Sequence, residues 1–156
     1  MNTKIRKATK KDITELAKLR REFHIYFQKE LKLYGDSYIP EIEEYENHIE
    51  DFLKRRLSKI FVALVDSKVV GYIKGHIFED DFDFRKYGNI DEIIINKDYR
   101  GQGISKLLVN ELEKYLRKHN IEGIYSSVHN NNESSLKLHE NQGFKPISTE
   151  ITLYKK

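Results

Sequence analysis

The chain is predicted to be a mixed α/β domain, and three observations predict it. Apolar residues switch along the chain between helical spacing and short strand-like runs. A glycine-rich turn, Arg100-Gly101-Gln102-Gly103-Ile104-Ser105, stands between an apolar strand pattern and an amphipathic helix pattern. Eight Phe and ten Tyr in 156 residues can bury enough area to offset chain entropy. One domain spanning 1–156, with no disulfide or structural metal, is therefore expected.

The elements follow in order. Ile5 and Arg6 read as a short strand. Thr9-Lys10-Lys11-Asp12 resembles a capping box, and Ile13, Leu16, Ala17, Arg20, Phe23 and Phe27 then recur at helical spacing to about Glu30. Residues 31–40 connect to a second helix marked by Ile42, Tyr45, Ile49, Phe52, Leu53 and Leu57, with Pro40 as a first-turn residue. Ile60–Val65 and Val69–Phe78 flank Asp66-Ser67-Lys68 as a hairpin. Glu79–Gly88 reads as an acidic, aromatic loop. Ile90–Ile95 is a strand whose Ile93-Ile94-Ile95 is apolar on both faces, which places it centrally in a sheet. A helix follows from about Gly103 to Lys118, with Ile104, Leu107, Leu108, Leu112, Tyr115 and Leu116 as its core stripe. Ile124–Val128 is a strand, and Ser134–Asn141 a short helix stopped by Gly143. Phe144–Ile147 and Ile151–Tyr154 are expected as the last two strands. The order is β-α-α-β-β-β-α-β-α-β-β.

Composition excludes several classes of function. There is no Cys, which removes disulfide frameworks, CxxC redox chemistry, thiolate zinc sites and cysteine nucleophiles. No metal is expected. The N-terminus has no apolar run of a signal peptide, and Ile60–Val65 is far short of the ~20 residues that span a bilayer. A cytoplasmic protein without membrane contact is expected. Charge comes in alternating blocks, basic over 1–35 and 53–78 and acidic over 36–52 and 79–92. A phosphate-backbone binder gathers its cations on one face, so nucleic acid is not an expected partner.

Two segments carry chemistry. In the Arg100–Ser105 turn, glycines let backbone N–H groups approach an anion, and the following helix N-terminus adds partial positive charge. The dinucleotide pattern GxGxxG fails because Lys106 stands where its third Gly belongs, and GxxxxGK has no match. The second segment, Asn132–Phe144, puts Asn132 at a loop–helix junction and His139 about two turns later. Alone it is a capped helix with one histidine.

Together the two segments resemble the GNAT superfamily of acyl-CoA-dependent N-acetyltransferases. Ile93 through Ile104 is similar to that family's Q/R-x-x-G-x-G/A pyrophosphate motif, and Asn132–Phe144 to its N-x-x-A-x-x-L-Y-x-x-x-G-F segment. Ile5-Arg6-Lys7-Ala8-Thr9 with Asp12 is similar to its common opening. The resemblance implies a mostly antiparallel sheet splayed after its fourth strand, with the thioester arm of acetyl-CoA in the resulting cleft. It implies that main-chain groups of Ile93 and Ile95 pair with the pantetheine. The N–H groups of Gly101, Gln102, Gly103, Ile104 and Ser105 would cradle the pyrophosphate beside Arg100, and Asn132 would lie on the pantetheine side.

Against the family pattern, Ser105 replaces the last Gly or Ala, Ser135 replaces Ala, and His139 replaces the common Tyr, which often protonates the leaving thiolate. Histidine can supply that proton; a site that draws it from water or substrate is the alternative. Glu92 is the best carboxylate for drawing the amine's proton through water, since Ser127 stands where some protein-acetylating relatives carry a Glu. The leading expectation is direct transfer of acetyl from acetyl-CoA to a primary amine. A catalytically silent acyl-CoA-binding regulatory domain is the alternative. The resemblance also places the two acidic blocks, with Asp36, Glu41, Glu43, Glu44, Glu79, Asp80, Asp81 and Asp83, around the acceptor mouth. A cationic acceptor follows: a polyamine, a basic peptide or protein amine, or an aminosugar. A homodimer is compatible with the sequence.

Overall fold

A computed structural model describes residues 2–30 and 38–147 of the chain. The elements are β1 (Thr3–Lys7), a helical turn at Lys10–Asp12, α1 (Ile13–Glu30), α2 (Ile42–Lys54), β2 (Ser58–Val65), β3 (Lys68–Glu79), β4 (Lys86–Ile95), a turn at Lys97–Tyr99, α3 (Ile104–Arg117), β5 (Ile124–Ser126) and α4 (Glu133–Asn141). The sheet order is β1-β2-β3-β4-β5. The first three pairings are antiparallel and β4–β5 is parallel.

Strand alternation sends successive side chains to opposite faces, and each face buries its own helices. Phe61, Ala63, Ile73 and Ile90 pack with Ile104, Leu108, Leu112 and Leu116 of α3. Ile60, Val62, Tyr72 and Ile94 pack on the other face with Leu16 and Ala17 of α1 and Tyr45, Ile49 and Phe52 of α2. The helical stripes read from the sequence are these buried faces, except that Leu107, expected in the α3 stripe, is exposed, as is Leu57 beyond the end of α2. The β2–β3 turn is Asp66-Ser67, both at positive φ (48° and 66°), a two-residue turn whose twist matches the strands it joins.

Several boundaries differ from the sequence expectation. Glu79–Gly88 is not all loop: Phe78 pairs with Tyr87 and Glu79 with Lys86, so the hairpin arm runs on and only 80–85 turn the chain. Stacking of Phe78, Tyr87 and Tyr125, with ring centroids 5.2 to 6.1 Å apart, holds these added residues on the sheet. Pro40 precedes the N-cap, Glu41, rather than opening the helix, and α2 ends at Lys54, short of Leu57. The fifth strand stops at Ser126, because Ser127 and Val128 have no β4 partner. Phe144–Ile147 is not a strand. The Phe144 N–H closes α4 on the His139 carbonyl (3.0 Å) after Gly143 at φ 85°, and no described strand pairs with the segment. The expected strand Ile151–Tyr154 lies outside the described residues.

Candidate active site

The site begins with one extra residue in β4. Lys74 of β3 opposes Glu92, but the next residue, Gly75, opposes Ile90, so Asp91 is a bulge. A bulge bends its strand and sharpens its twist. The pairing of β4 with β5 ends at Ile90–Ser126, immediately before it. Beyond that point the two strands part and a cleft of about 790 Å³ opens.

The bulge also sets direction. Gly88 N–H donates to Gly123 O (2.9 Å) on the β5 side, whereas Asn96 N–H donates to Val70 O (2.8 Å) on the β3 side. Unbroken alternation would send both the same way. The extra residue reverses the sense, so the main-chain groups of Ile93 and Ile95 face the side that β5 has left. It also gives Asp91 and Glu92 the same face, toward α1 and α2. Asp91 accepts from Asn89 Nδ2 (2.7 Å) and lies 2.9 Å from His76 Nδ1.

Glu92 is the hub of a polar network. Its Oε1 accepts from Arg20 Nε (3.2 Å), and its Oε2 accepts from the Tyr72 hydroxyl (2.7 Å) with Lys74 Nζ at 3.3 Å. Lys74 is buried beneath the Phe52 ring, with Nζ 5.2 Å from its centroid. Burial pushes the Lys74 ammonium below the usual lysine range against the pull of Glu92. Burial and then the Arg20 charge lower the His48 imidazole, and burial and then Glu92 hold the Tyr72 phenol well above its ordinary value. Arg20, Tyr45, His48, Asp91 and Glu92 all line the cleft.

The opposite wall comes from the segment after β5 and from α4. Asn132 N-caps α4, its side-chain oxygen accepting from Ser135 N–H (3.2 Å) and the Ser134 hydroxyl (3.0 Å). Asn132, Ser135 and His139 line the cleft, as does Ser127. His139 is buried, with its ring edge-on to Phe144 (5.1 Å), its Nδ1 2.7 Å from Ser135 O, and its Nε2 without a partner among the described residues.

The glycine turn lies outside this cleft lining, at the N-terminus of α3. Gly101 and Gly103 stand at φ 73° and 77°, where glycine is favoured, and beyond its chain neighbours a Cβ at either would meet no atom of the described residues within 4 Å. Gly103 is the N-cap, and the first helical bond runs from Leu107 N–H to Gly103 O (3.3 Å). The N–H groups of Ile104, Ser105 and Lys106 therefore precede the intrahelical ladder. An open left-handed turn feeding free amides into a helix end fits a diphosphate. Arg100 turns back from it: Nε donates to Ile95 O (3.1 Å), and the guanidinium lies 4.8 Å from the Tyr26 ring centroid. Gln102 Nε2 reaches Asp98 O (3.4 Å).

The acidic rim is only partly assembled. Glu44 lines the cleft, but Glu79, Asp80, Asp81 and Asp83 do not. Asp80 and Asp83 instead accept N–H groups within the β3–β4 turn, and Asp83 accepts the Tyr87 hydroxyl. Asp36 lies outside the described residues. Sequence reasoning missed Arg20, Tyr72, Lys74, His48 and Asp91. Two signals were present: Arg20 interrupts the apolar stripe of α1, and Lys74 is a lone charge within the apolar run of β3. Among the described residues no cluster of His, Asp and Glu is placed to hold a metal, and no helix is long and apolar enough to cross a membrane.

Comparison with known proteins bears on the identity of this cleft. A profile of the acetyltransferase (GNAT) family matches residues 16–144. An N-alpha-acetyltransferase of Sulfurisphaera tokodaii is 30% identical over 116 residues, covering 70% of this chain and 69% of that protein. One of Saccharolobus solfataricus is 29% identical over the same length. Among solved structures, a mutant of the BH1408 protein from Bacillus halodurans has a TM-score of 0.86 at 21% identity, covering 98% of this chain and 99% of that one. Aminoglycoside N-acetyltransferase AAC(6')-Iy, solved in complex with CoA, has a TM-score of 0.80 at 18% identity, covering 99% and 95%. These two likenesses establish the fold, and the family match over most of the chain establishes the rest: the protein belongs to the GNAT family and is an acetyltransferase that carries acetyl groups from acetyl-CoA to amines.

Proposed function

We propose that the acceptor is a primary amine that arrives as a cation, a polyamine, a basic peptide or protein amine, or an aminosugar, and that transfer is direct within a ternary complex. The observation that carries this reading is that a carboxylate, Glu92, and an imidazole, His139, line one cleft, which opens where β4 leaves β5. Among the described residues three carboxylates, Glu44, Asp91 and Glu92, line it against one arginine, Arg20, which favours a cationic ligand. The curated relatives are N-alpha-acetyltransferases, and a fold neighbour is an aminoglycoside acetyltransferase in complex with sisomicin.

In this mechanism Gly101, Gln102, Gly103, Ile104 and Ser105 offer N–H groups to the pyrophosphate and Asn132 lies on the pantetheine side, while Arg100, held on Ile95 O and Tyr26, fixes the strand end rather than the phosphates. Main-chain groups of Ile93 and Ile95 align the pantetheine and the thioester carbonyl. Glu92 draws the proton of the incoming ammonium through a water. The neutral amine attacks the carbonyl carbon, the C–S bond breaks, and His139 delivers a proton to the departing sulfur. With no Cys in the chain, no thiol acyl-enzyme intervenes.

The test is a panel of spermidine, a lysine-rich peptide, an aminosugar, and neutral and acidic amines, assayed with acetyl-CoA by thiol release. Cationic amines should lead, with kcat/KM falling as salt rises. Preference for neutral or acidic amines without salt dependence would overturn the acceptor class.

A further inference from the structure

The face of the sheet that carries Glu92 continues past the cleft. Beyond Lys74 and the bulge, β3, β4 and β5 present His76, Phe78, Tyr87 and Tyr125 on that same face, since Asn89 opposes both His76 and Tyr125 while Tyr87 opposes Phe78. Phe78, Tyr87 and Tyr125 belong to neither buried core, and Tyr125 is 37% exposed. These side chains follow one another outward from the cleft. Asp91, which lines it, lies 2.9 Å from His76 Nδ1, and the His76 ring lies 5.9 Å from that of Phe78. Phe78, Tyr87 and Tyr125 then stack with centroids 5.2 to 6.1 Å apart. The strip ends at the β3–β4 turn, where Asp81 is exposed and Phe82 is 95% exposed. That turn is held from within: Asp80 Oδ1 accepts from the N–H groups of Phe82 (2.9 Å) and Asp83 (3.3 Å), and Asp83 accepts from Arg85 N–H and the Tyr87 hydroxyl. Four carboxylates, Glu79, Asp80, Asp81 and Asp83, stand there against Arg85 and Lys86. Arg85 is shared between Asp83 (4.0 Å) and Glu122 (3.8 Å). The tip is negative.

We propose that this aromatic strip and its acidic tip form a docking surface for a polypeptide acceptor: the amine enters the cleft, and lysine or arginine side chains farther along the same polypeptide lie over Tyr87 and Tyr125 toward the turn. This rests on the cationic-acceptor reading above and chooses among its members, a peptide or protein amine over a polyamine or an aminosugar. Chemistry favours a basic segment. Exposed ring faces attract ammonium and guanidinium groups, and the carboxylates of the tip add attraction at longer range. A neutral or acidic segment would gain neither. Length favours a chain. From Asp91 back to Tyr87 the strand rises about 13 Å, the reach of about four extended residues, and a single sugar ring does not cover it. A polypeptide can also set apolar side chains on Phe78 and on the exposed Phe82 ring, which a polyamine cannot do. Because the turn is already tied by its own hydrogen bonds, docking there costs little ordering. The acidic block of 79–83 thus acts beyond the cleft rather than at its rim.

The test uses peptides that share one N-terminal tetrapeptide and differ in their tails, arginine-rich or serine-rich, assayed with acetyl-CoA by thiol release beside spermidine. Arginine carries the charge without offering a second amine to acetylate. The arginine tail should raise kcat/KM by roughly tenfold, through KM with kcat unchanged, and the gain should shrink as salt rises. Tyr125→Ala and Asp81→Lys should each cut that gain severalfold and leave turnover of the serine-tailed peptide at the parent level, which also shows that the variants are folded. Should Tyr125→Ala fail to fold, Asp81→Lys alters only an exposed turn residue and decides alone. Equal kcat/KM for the two tails overturns the docking surface, as does a gain that survives Asp81→Lys and Tyr125→Ala intact. Spermidine outpacing every peptide overturns the polypeptide acceptor while leaving a cationic one. Loss of thiol release with every amine would instead strike the reading on which the proposal rests.

Discussion

Lys74 and Glu92 are register partners on β3 and β4, and their side chains meet with Nζ 3.3 Å from Oε2. The pair exists because the Asp91 bulge turns Glu92 onto the face of Tyr72 and Lys74. A carboxylate has about four lone-pair sites. Arg20, Tyr72 and Lys74 engage three, so Glu92 is fixed in orientation.

Glu92→Gln keeps the shape and removes the basic oxygen. We expect kcat to fall roughly 10²-fold at neutral pH. The deficit should narrow as pH rises, because at high pH the amine arrives without its proton. A pH-independent deficit together with a large fall in Tm would mean that Glu92 serves the ion network alone.

Gly103→Glu should abolish acetyl-CoA binding, read by titration calorimetry. The space beside Gly103 is open, so the cost to folding comes from a side chain at φ 77° and should be about 1–2 kcal/mol. The added carboxylate would occupy and repel the diphosphate position. Retained micromolar affinity would remove the turn from the site.

Gly75 lies beside the bulge on the α3 face. A Cβ there would meet Asn89 O at 2.5 Å and Leu112 Cδ2 at 2.7 Å. Gly75→Ala should destabilise by about 1–3 kcal/mol, a Tm loss of several degrees by calorimetry. An unchanged Tm would show that β4 and α3 can yield there.

Asp12 anchors the start of α1. Arg6 donates to both of its oxygens (2.8 Å each), and Thr9 donates its N–H and hydroxyl to Oδ2. These bonds, led by that from Arg6, lower the Asp12 pKa to about 2. The folded value lies below the unfolded one, so the stabilisation is complete above the unfolded value near 4 and is lost as pH falls toward 2. It amounts to roughly 2 kcal/mol. Asp12→Asn should lower Tm at pH 7, and the difference from the parent should vanish near pH 2. A constant difference across that range would refute the linkage.

Much of this protein is local in origin, and that part was legible in the sequence. Helical periodicity identified α1, α2 and α3, because each buries one stripe on one sheet face. The Arg100–Ser105 turn, the Asn132 cap and the Gly143 stop were readable because each depends on the conformational preferences of a few neighbouring residues. Ending β5 at Ser126 and extending β4 back to Lys86 were not, because strand length is set by the partner strand and by rings stacked across it. The bulge at Asp91 leaves no trace in Ile90–Ile95, which reads as an ordinary apolar strand, yet it decides which main-chain groups face the cleft and which face carries Glu92. Arg20, Tyr72 and Lys74 reach Glu92 from α1 and β3, at separations of 18 to 72 residues, and His48 of α2 meets Lys74. A side chain's partners at such distances follow from how helices and strands pack. Sequence alone thus determined the helices and the outline of β1 to β5, though not the absence of a strand at Phe144–Ile147, together with the anion turn and the candidates Glu92 and His139. Only the tertiary structure decided that Glu92 is held by two cations and a phenol, and that His139 Nε2 is buried without a partner among the described residues, because both depend on packing between segments far apart in the chain or on burial.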